Sequence, residues 1–391
     1  MKENIGLVLN LDSNGLGVIR SLGRAGIDVW GGDFIPKNVG LYSRFCKKKI
    51  ILPSPLSNPD KCLEKLIIIG KEVSTKPVLL PTADYWVIFL SKHQTELSNY
   101  FRFNIPESGI LDTIVDKAKQ YQWAEKLGIP IPKTYYLNED SDIHENDLTY
   151  PIFMKGRSGH KWATTFGNKG FVVNNSDEFS KYYEITRKNN IDAIVQEIIP
   201  GPNKNHYKVC AYYNKNKKLL ALFSTQKARQ YPVDFGVGSY MISKRVDNLI
   251  ELGLKFFEGI GYTGVGSIEF KLDERDNQFK LIELNPRLWQ QNIQATYSGV
   301  NFPLINFLDC IGVELGSILN FKENVRWLDA IQDFQSFIGN YKKGDVKFFE
   351  WFISLFKSNC FAYFAWDDLL PGWKNSNFGL KYLKLPYKLI K

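Results

Sequence analysis

The sequence predicts an α/β chain: a parallel-sheet βαβ domain at the amino end, followed by a mixed α+β region in two lobes. Three observations carry this. Residues 5–10 form a short apolar strand, Gly15 and Gly17 mark a turn, residues 18–25 have helical spacing ended by Gly26, and residues 27–30 form a second strand. Residues 77–81 read as another buried strand, opening into Thr82 and Asp84 where a ligand crevice is expected. Beyond residue 200 the strands come in hairpin pairs joined by polar turns, at 214–218 and 273–277.

The change of character falls near Asp116. A helix is expected from Asp116 to Leu127, stopped by Gly128 with Pro130 and Pro132 behind it. Residues 151–155 form a strand, and 159–170 read as a loop rich in Gly, Ser and Lys. Residues 193–199 form a strand closed by Pro200, Gly201 and Pro202. A helix over 247–259 precedes strands at 264–272 and 278–284. The expected domains are therefore 1–115, 116–320 (a small lobe at about 133–200 and a larger one at about 201–320), and an aromatic-rich extension over 321–391 that packs on the core.

At 391 residues the chain is long enough for two or three packed units. Its net charge of +9 is scattered, with Lys47, Lys48 and Lys49 the densest basic run, so no nucleic-acid stripe is expected. Phosphate-bearing ligands account for dispersed lysines equally well. Five widely spaced cysteines without a C-x-x-C pair predict neither disulfides nor zinc, and the four histidines have no metal-ligand spacing. No segment approaches the roughly 18 apolar residues of a membrane span, so no stable membrane insertion is expected. No signal-peptide pattern is present at the amino terminus, and the expected location is the cytoplasm. Residues 14–17 lack the third glycine of a dinucleotide fingerprint, because position 20 is Arg. A packing or substrate-edge role is favoured there.

The chemistry is concentrated on the last two of these strands. Glu283 and Asn285 alternate along one strand and project to one face, and a neighbouring strand carries Glu269. Two carboxylates and an amide oxygen, completed by phosphate oxygens and water, suit Mg2+, with Mn2+ as a substitute. Arg287 follows Asn285 by two residues and has the fork to grip a phosphate or carboxylate. Lys227 and Arg229, at alternate positions on an extended stretch, are expected to point to one side and grip one anion together.

The string Gly266-Ser267-Ile268-Glu269, a polar turn, then Ile282-Glu283-Leu284-Asn285-Pro286-Arg287 resembles the signature of the ATP-grasp superfamily. The resemblance spans roughly residues 5–372 and implies ATP as substrate, with Glu269, Glu283 and Asn285 as magnesium ligands. It implies nucleotide contacts from Lys117, from Lys155 on the 151–155 strand, from Gly159 in a mobile phosphate lid, and from Gln196, Glu197 and Ile199 at the adenine hinge. Arg287, Lys227 and Arg229 would serve the reacting groups. The pattern departs at Gln196, where many members have Glu, at Gly156 in place of Pro, and at the bulky Lys161 and Trp162 of the lid. Residues 227–239 and 366–371 resemble a carboxylate–amine ligase branch that includes D-aspartate ligases. The function implied is therefore a cytoplasmic ligase joining a small-molecule carboxylate to an amine, with a homodimer left open. Carboxylase or carbamoyl chemistry, and a nucleotide-binding regulator without turnover, are the alternatives.

Overall fold

The computed structural model describes residues 4–137, 148–344 and 346–382. Ile5–Leu9, Asp28–Asp33, Cys46–Ile51 and Val78–Pro81 form the first sheet, all parallel, with Ile5–Leu9 between Asp28–Asp33 and Val78–Pro81. Ile5–Leu9 and Val78–Pro81 are continuously apolar because this part of the parallel sheet is covered on both faces, and Leu7, Val8, Leu79 and Leu80 are buried. The first helix, Ser13–Arg24, begins a turn earlier than its periodicity predicts. Asp12 accepts hydrogen bonds from the Asn14 and Gly15 N–H groups and so caps it. A Cβ on Gly15 would lie 2.1 Å from the Asn10 carbonyl oxygen, and one on Gly17 would lie 2.8 Å from Asn292 Oδ1. These glycines therefore serve close packing.

The second sheet is small and antiparallel, in the order Thr134–Tyr136, Ala193–Glu197, Ile152–Gly156, Phe171–Val173. It has its own apolar core around Ile152, Met154, Trp162, Val173 and Phe179. The stretch expected to be a loop folds instead into a helix, Gly159–Phe166, capped by the Ser158 hydroxyl. Trp162 and Phe166 lie one turn apart on its face and pack together with Phe171, and burying that pair outweighs the loop-like composition.

The third sheet has seven strands in the order Gln278–Asn285, Gly264–Asp273, His206–Tyr213, Leu219–Tyr231, Val237–Ser243, Arg326–Leu328, Cys360–Phe361. One face shares a core with the amino-terminal domain through Tyr212, Phe223 and Trp289. The other is covered by helices Lys117–Lys126 and Asp247–Gly259. The carboxy-terminal region thus supplies the last two strands of this sheet. Its acids also bind the first helix. Asp368 accepts from Arg20 Nε at 2.9 Å, Ser43 Oγ at 2.7 Å and the Arg44 N–H at 2.8 Å, while Asp367 takes both forks of Arg24. The aromatic cluster departs from the expected core packing. In the helix Phe348–Phe356 only Trp351 is buried, because helix Ala330–Lys343 covers one side of an element that is apolar nearly all round. All five cysteines are free. Among the described residues no helix is long and apolar enough to cross a membrane.

Candidate active site

Three adjacent strands place their charges in one row. In the antiparallel register Glu269 stands directly opposite Glu283 on one side and Lys208 on the other. Lys208 Nζ lies 2.9 Å from Glu269 Oε1, and Lys227 Nζ lies 3.6 Å from Oε2. Glu283 is met by Lys117 at 3.0 Å, reaching from the amino end of the Lys117–Lys126 helix. Asn285 donates to Glu283 at 3.3 Å, so the amide and the carboxylate share a face as the alternation requires. Arg287 donates to Asn285 Oδ1 at 3.2 Å and to Asp84 at 3.0 Å. Asp84 heads a helix of the first domain, so this row is built from both domains.

The cations set the protonation of the acids. Burial opposes charge on Glu269, yet Lys208 and Lys227 outweigh it and hold the carboxyl well below the usual carboxylate range. Lys117 does the same for Glu283 against burial and the like charge of Glu269. Two like charges face to face are otherwise destabilising; here three lysines offset them. Burial pushes the Lys227 ammonium downward, with Glu269 opposing. Among the described residues no group of three or more His, Cys, Asp and Glu side chains could hold a metal ion. The donor set is two ionised carboxylates and one amide, which fits a hard divalent cation whose other ligands come with a bound phosphate.

A second cluster lies where the Ile152–Gly156 strand approaches. Buried Lys155 donates to Tyr121 and Gln196, each at 2.8 Å, and Gln196 donates to Thr134 at 2.8 Å. The Tyr121 hydroxyl donates to the Ile282 carbonyl, next to Glu283. Gly159 faces Lys117, whose Cε would be the nearest atom to an added Cβ at 3.8 Å. Arg157 grips Asp116 with both forks at 3.1 and 2.6 Å, locking the start of the Lys117–Lys126 helix to the small sheet.

Other expected site residues are engaged elsewhere. Glu197 donates its N–H to the Lys133 carbonyl, and its carboxylate takes the Lys133 N–H and an ion pair with Arg275. Its carboxylate thus ties the end of this strand to the polar turn at 273–277. The Ile199 carbonyl accepts from Lys271 at 2.7 Å. The joint grip expected of Lys227 and Arg229 does not form. The Leu219–Tyr231 strand is irregular between the two residues, which breaks the alternation. Lys227 enters the row beside Glu269, whereas Arg229 makes a fork-to-fork pair with buried Asp333, at 2.8 Å on both arms.

Lys208, Tyr121 and Lys169 escaped the sequence reading. Lys208 carried a usable signal, since it is a lone charge in an otherwise apolar strand. Lys169, in the turn after the Gly159–Phe166 helix, donates to the Phe235 carbonyl at 3.1 Å, and Phe235 stacks on Phe153 at 4.5 Å. Its positive charge also favours the ionised forms of Glu269 and Glu283.

Residues 116–307 match the family model described as the carbamoyl-phosphate synthase L chain, ATP binding domain. D-aspartate ligase from Enterococcus faecium (strain Aus0004) is 24% identical over 325 residues, covering 77% of this chain and 75% of that protein. Pyruvate carboxylase from Bacillus subtilis (strain 168) is 26% identical over 228 residues, 54% of this chain, which span only 19% of that enzyme. N5-carboxyaminoimidazole synthetase from Staphylococcus aureus, solved with ADP, superposes with a TM-score of 0.63 at 15% identity, covering 83% of this chain and 82% of that one. The chain has an ATP-grasp fold, and its residues 116–307, just under half of the chain, match the ATP-binding domain family of the carbamoyl-phosphate synthase L chain.

Proposed function

We propose that this chain is an ATP-dependent carboxylate–amine ligase that activates a carboxylate as an acyl phosphate and transfers the acyl group to an amino acid or amino sugar. The observation that carries the reading is the facing pair Glu269 and Glu283, ringed by Lys117, Lys208 and Lys227. A carboxylate is a poor acyl donor because its leaving group would be oxide. When its oxygen attacks the γ-phosphorus, the bond to ADP breaks and a phosphate leaving group is created. The amine nitrogen then attacks the acyl carbon, the acyl–phosphate bond breaks, and the nitrogen loses a proton.

Both steps gather negative charge that fixed cations must offset. Mg2+, held by Glu269, Glu283 and Asn285, supplies part of that offset when bound. In this reading Lys117 and Lys155 meet the nucleotide phosphates, and Arg287 meets the acid or its acyl phosphate. Among the described residues the Lys227 ammonium makes long contacts, to Gln230 at 3.3 Å and the Gly236 carbonyl at 3.4 Å besides Glu269, so an incoming anion can recruit it at little cost. The likeness to a D-aspartate ligase over most of both chains supports amide-bond formation, and five free thiols suit a reducing cytosol.

The test is ADP release across a panel of acids paired with amines. Turnover that requires both partners, with hydroxamate formed when hydroxylamine replaces the amine, is the expected result. ADP release driven by bicarbonate without an amine would transfer the chain to carboxylation. ATP bound but never turned over with any pair would favour a regulator.

A further inference from the structure

The helix Phe348–Phe356 carries an apolar stripe that the fold leaves uncovered. Phe349 is 75% exposed and Phe356 77%, with Phe352 and Ile353 about half exposed between them. These positions recur at helical spacing, so they form one face. Contacts within the stripe keep it ordered: Phe352 lies 5.1 Å from Phe356, edge to face. The opposite face is anchored. Trp351 donates to buried Asp333 at 2.9 Å, and Ser354 accepts from Arg229 at 2.9 Å. The outward direction of the phenylalanines is therefore set by hydrogen bonds to the helix Ala330–Lys343 and to the third sheet.

The rim of the stripe is basic. Lys347 precedes the helix, Lys357 follows it, and Lys342 lies on the preceding helix, all exposed; Glu350 is the acid within the helix. We propose that this face docks on the surface of a bilayer carrying anionic headgroups, with the helix lying in the interfacial plane. Nine residues span about 14 Å, far short of the roughly 30 Å hydrocarbon layer, so the helix cannot cross. An apolar face flanked by lysines is the pattern of an interfacial helix. Exposed aromatic side chains offer about 150–250 Å² each, giving this stripe roughly 500 Å². That is below the ~800 Å² per partner of a stable dimer. A two-fold contact between copies would also bring the lysine rim toward itself.

The experiment is flotation of the full chain with vesicles of phosphatidylcholine, alone or mixed with phosphatidylglycerol. The wild type is expected to float with the anionic vesicles and to be released from them progressively by salt. The double change Phe349→Ser with Phe356→Ser should cut the bound fraction at least tenfold at an unchanged melting temperature. Lys347→Glu with Lys357→Glu should abolish the preference for anionic lipid, and carries the test should the serine variant not fold. Absence of the wild type from both kinds of vesicle, equal binding to both, or binding untouched by both variants would overturn the proposal. So would sedimentation showing a dimer that the serine changes dissolve, which would assign the stripe to a second copy.

Discussion

Lys227 and Arg229 stand two residues apart on the Leu219–Tyr231 strand, and the irregularity between them sends each cation into a different kind of cluster. Around Arg229 every strong group is used. Asp333 takes both arms of the guanidinium, the Ser239 hydroxyl and the Trp351 ring N–H, while the Tyr240 ring lies 4.1 Å from the guanidinium carbon. Around Lys227 the contacts are long, and Glu269 is shared with Lys208. A closed network of short bonds holds a fold together. An open one, with more cation than it needs, is arranged for anions that arrive later. Burial alone does not separate the two, because both are largely removed from solvent.

The comparison can be broken by experiment. Removing the acid of the closed cluster should have the largest effect on stability. Asp333→Ala leaves Arg229 largely buried without its counter-ion and should lower the unfolding free energy by about 3–5 kcal/mol, read from urea titration of the nucleotide-free protein. A loss within about 0.5 kcal/mol would mean that the pair is not structural. Arg229→Lys is milder. It forfeits the fork and the stacking on Tyr240 and should cost about 1–2 kcal/mol of stability, with the KM for the acid unchanged. A raised KM at wild-type stability would return Arg229 to the substrate.

The smallest effect concerns His206, which is paired with Lys227 across the sheet. Burial, then Lys227 and Lys271, depress its pKa from 6.5 to about 3. The fold refuses a proton that the unfolded chain accepts below about 6.5. The contribution of His206 is therefore complete above that pH and is lost as pH falls toward 3. The melting temperature should fall further between pH 7 and pH 5 in the wild type than in His206→Gln. The acidic residues contribute a similar background to both proteins. Parallel pH curves would show that His206 is solvated.

Much of this was legible in the chain because the metal-side residues obey a simple rule. Glu283 and Asn285 alternate on an apolar strand, and Glu269 sits on its hairpin partner, so the pattern alone predicts a shared face. Arg229 was misread because strand irregularity has no reliable sequence mark, and its partner Asp333 lies 104 residues away. The helix Gly159–Phe166 was hidden by Gly, Ser and Lys, although the spacing of Trp162 and Phe166 was a visible hint of it. The exposed face of Phe348–Phe356 could not be read at all. Apolar residues all round a helix predict burial, and only tertiary packing decides which side is left uncovered.

The central claim is that the open row of Glu269, Glu283 and the lysines performs chemistry. Glu283→Gln tests it most directly, because the change keeps size and shape while deleting one charge. Its effect on stability should be small, since the Glu283 side chain is 36% exposed and water can reach Lys117 in its place. With acid and amine present, ATP turnover should fall at least ~100-fold at a melting temperature near that of the wild type. Turnover at the wild-type rate by the folded variant would contradict the account.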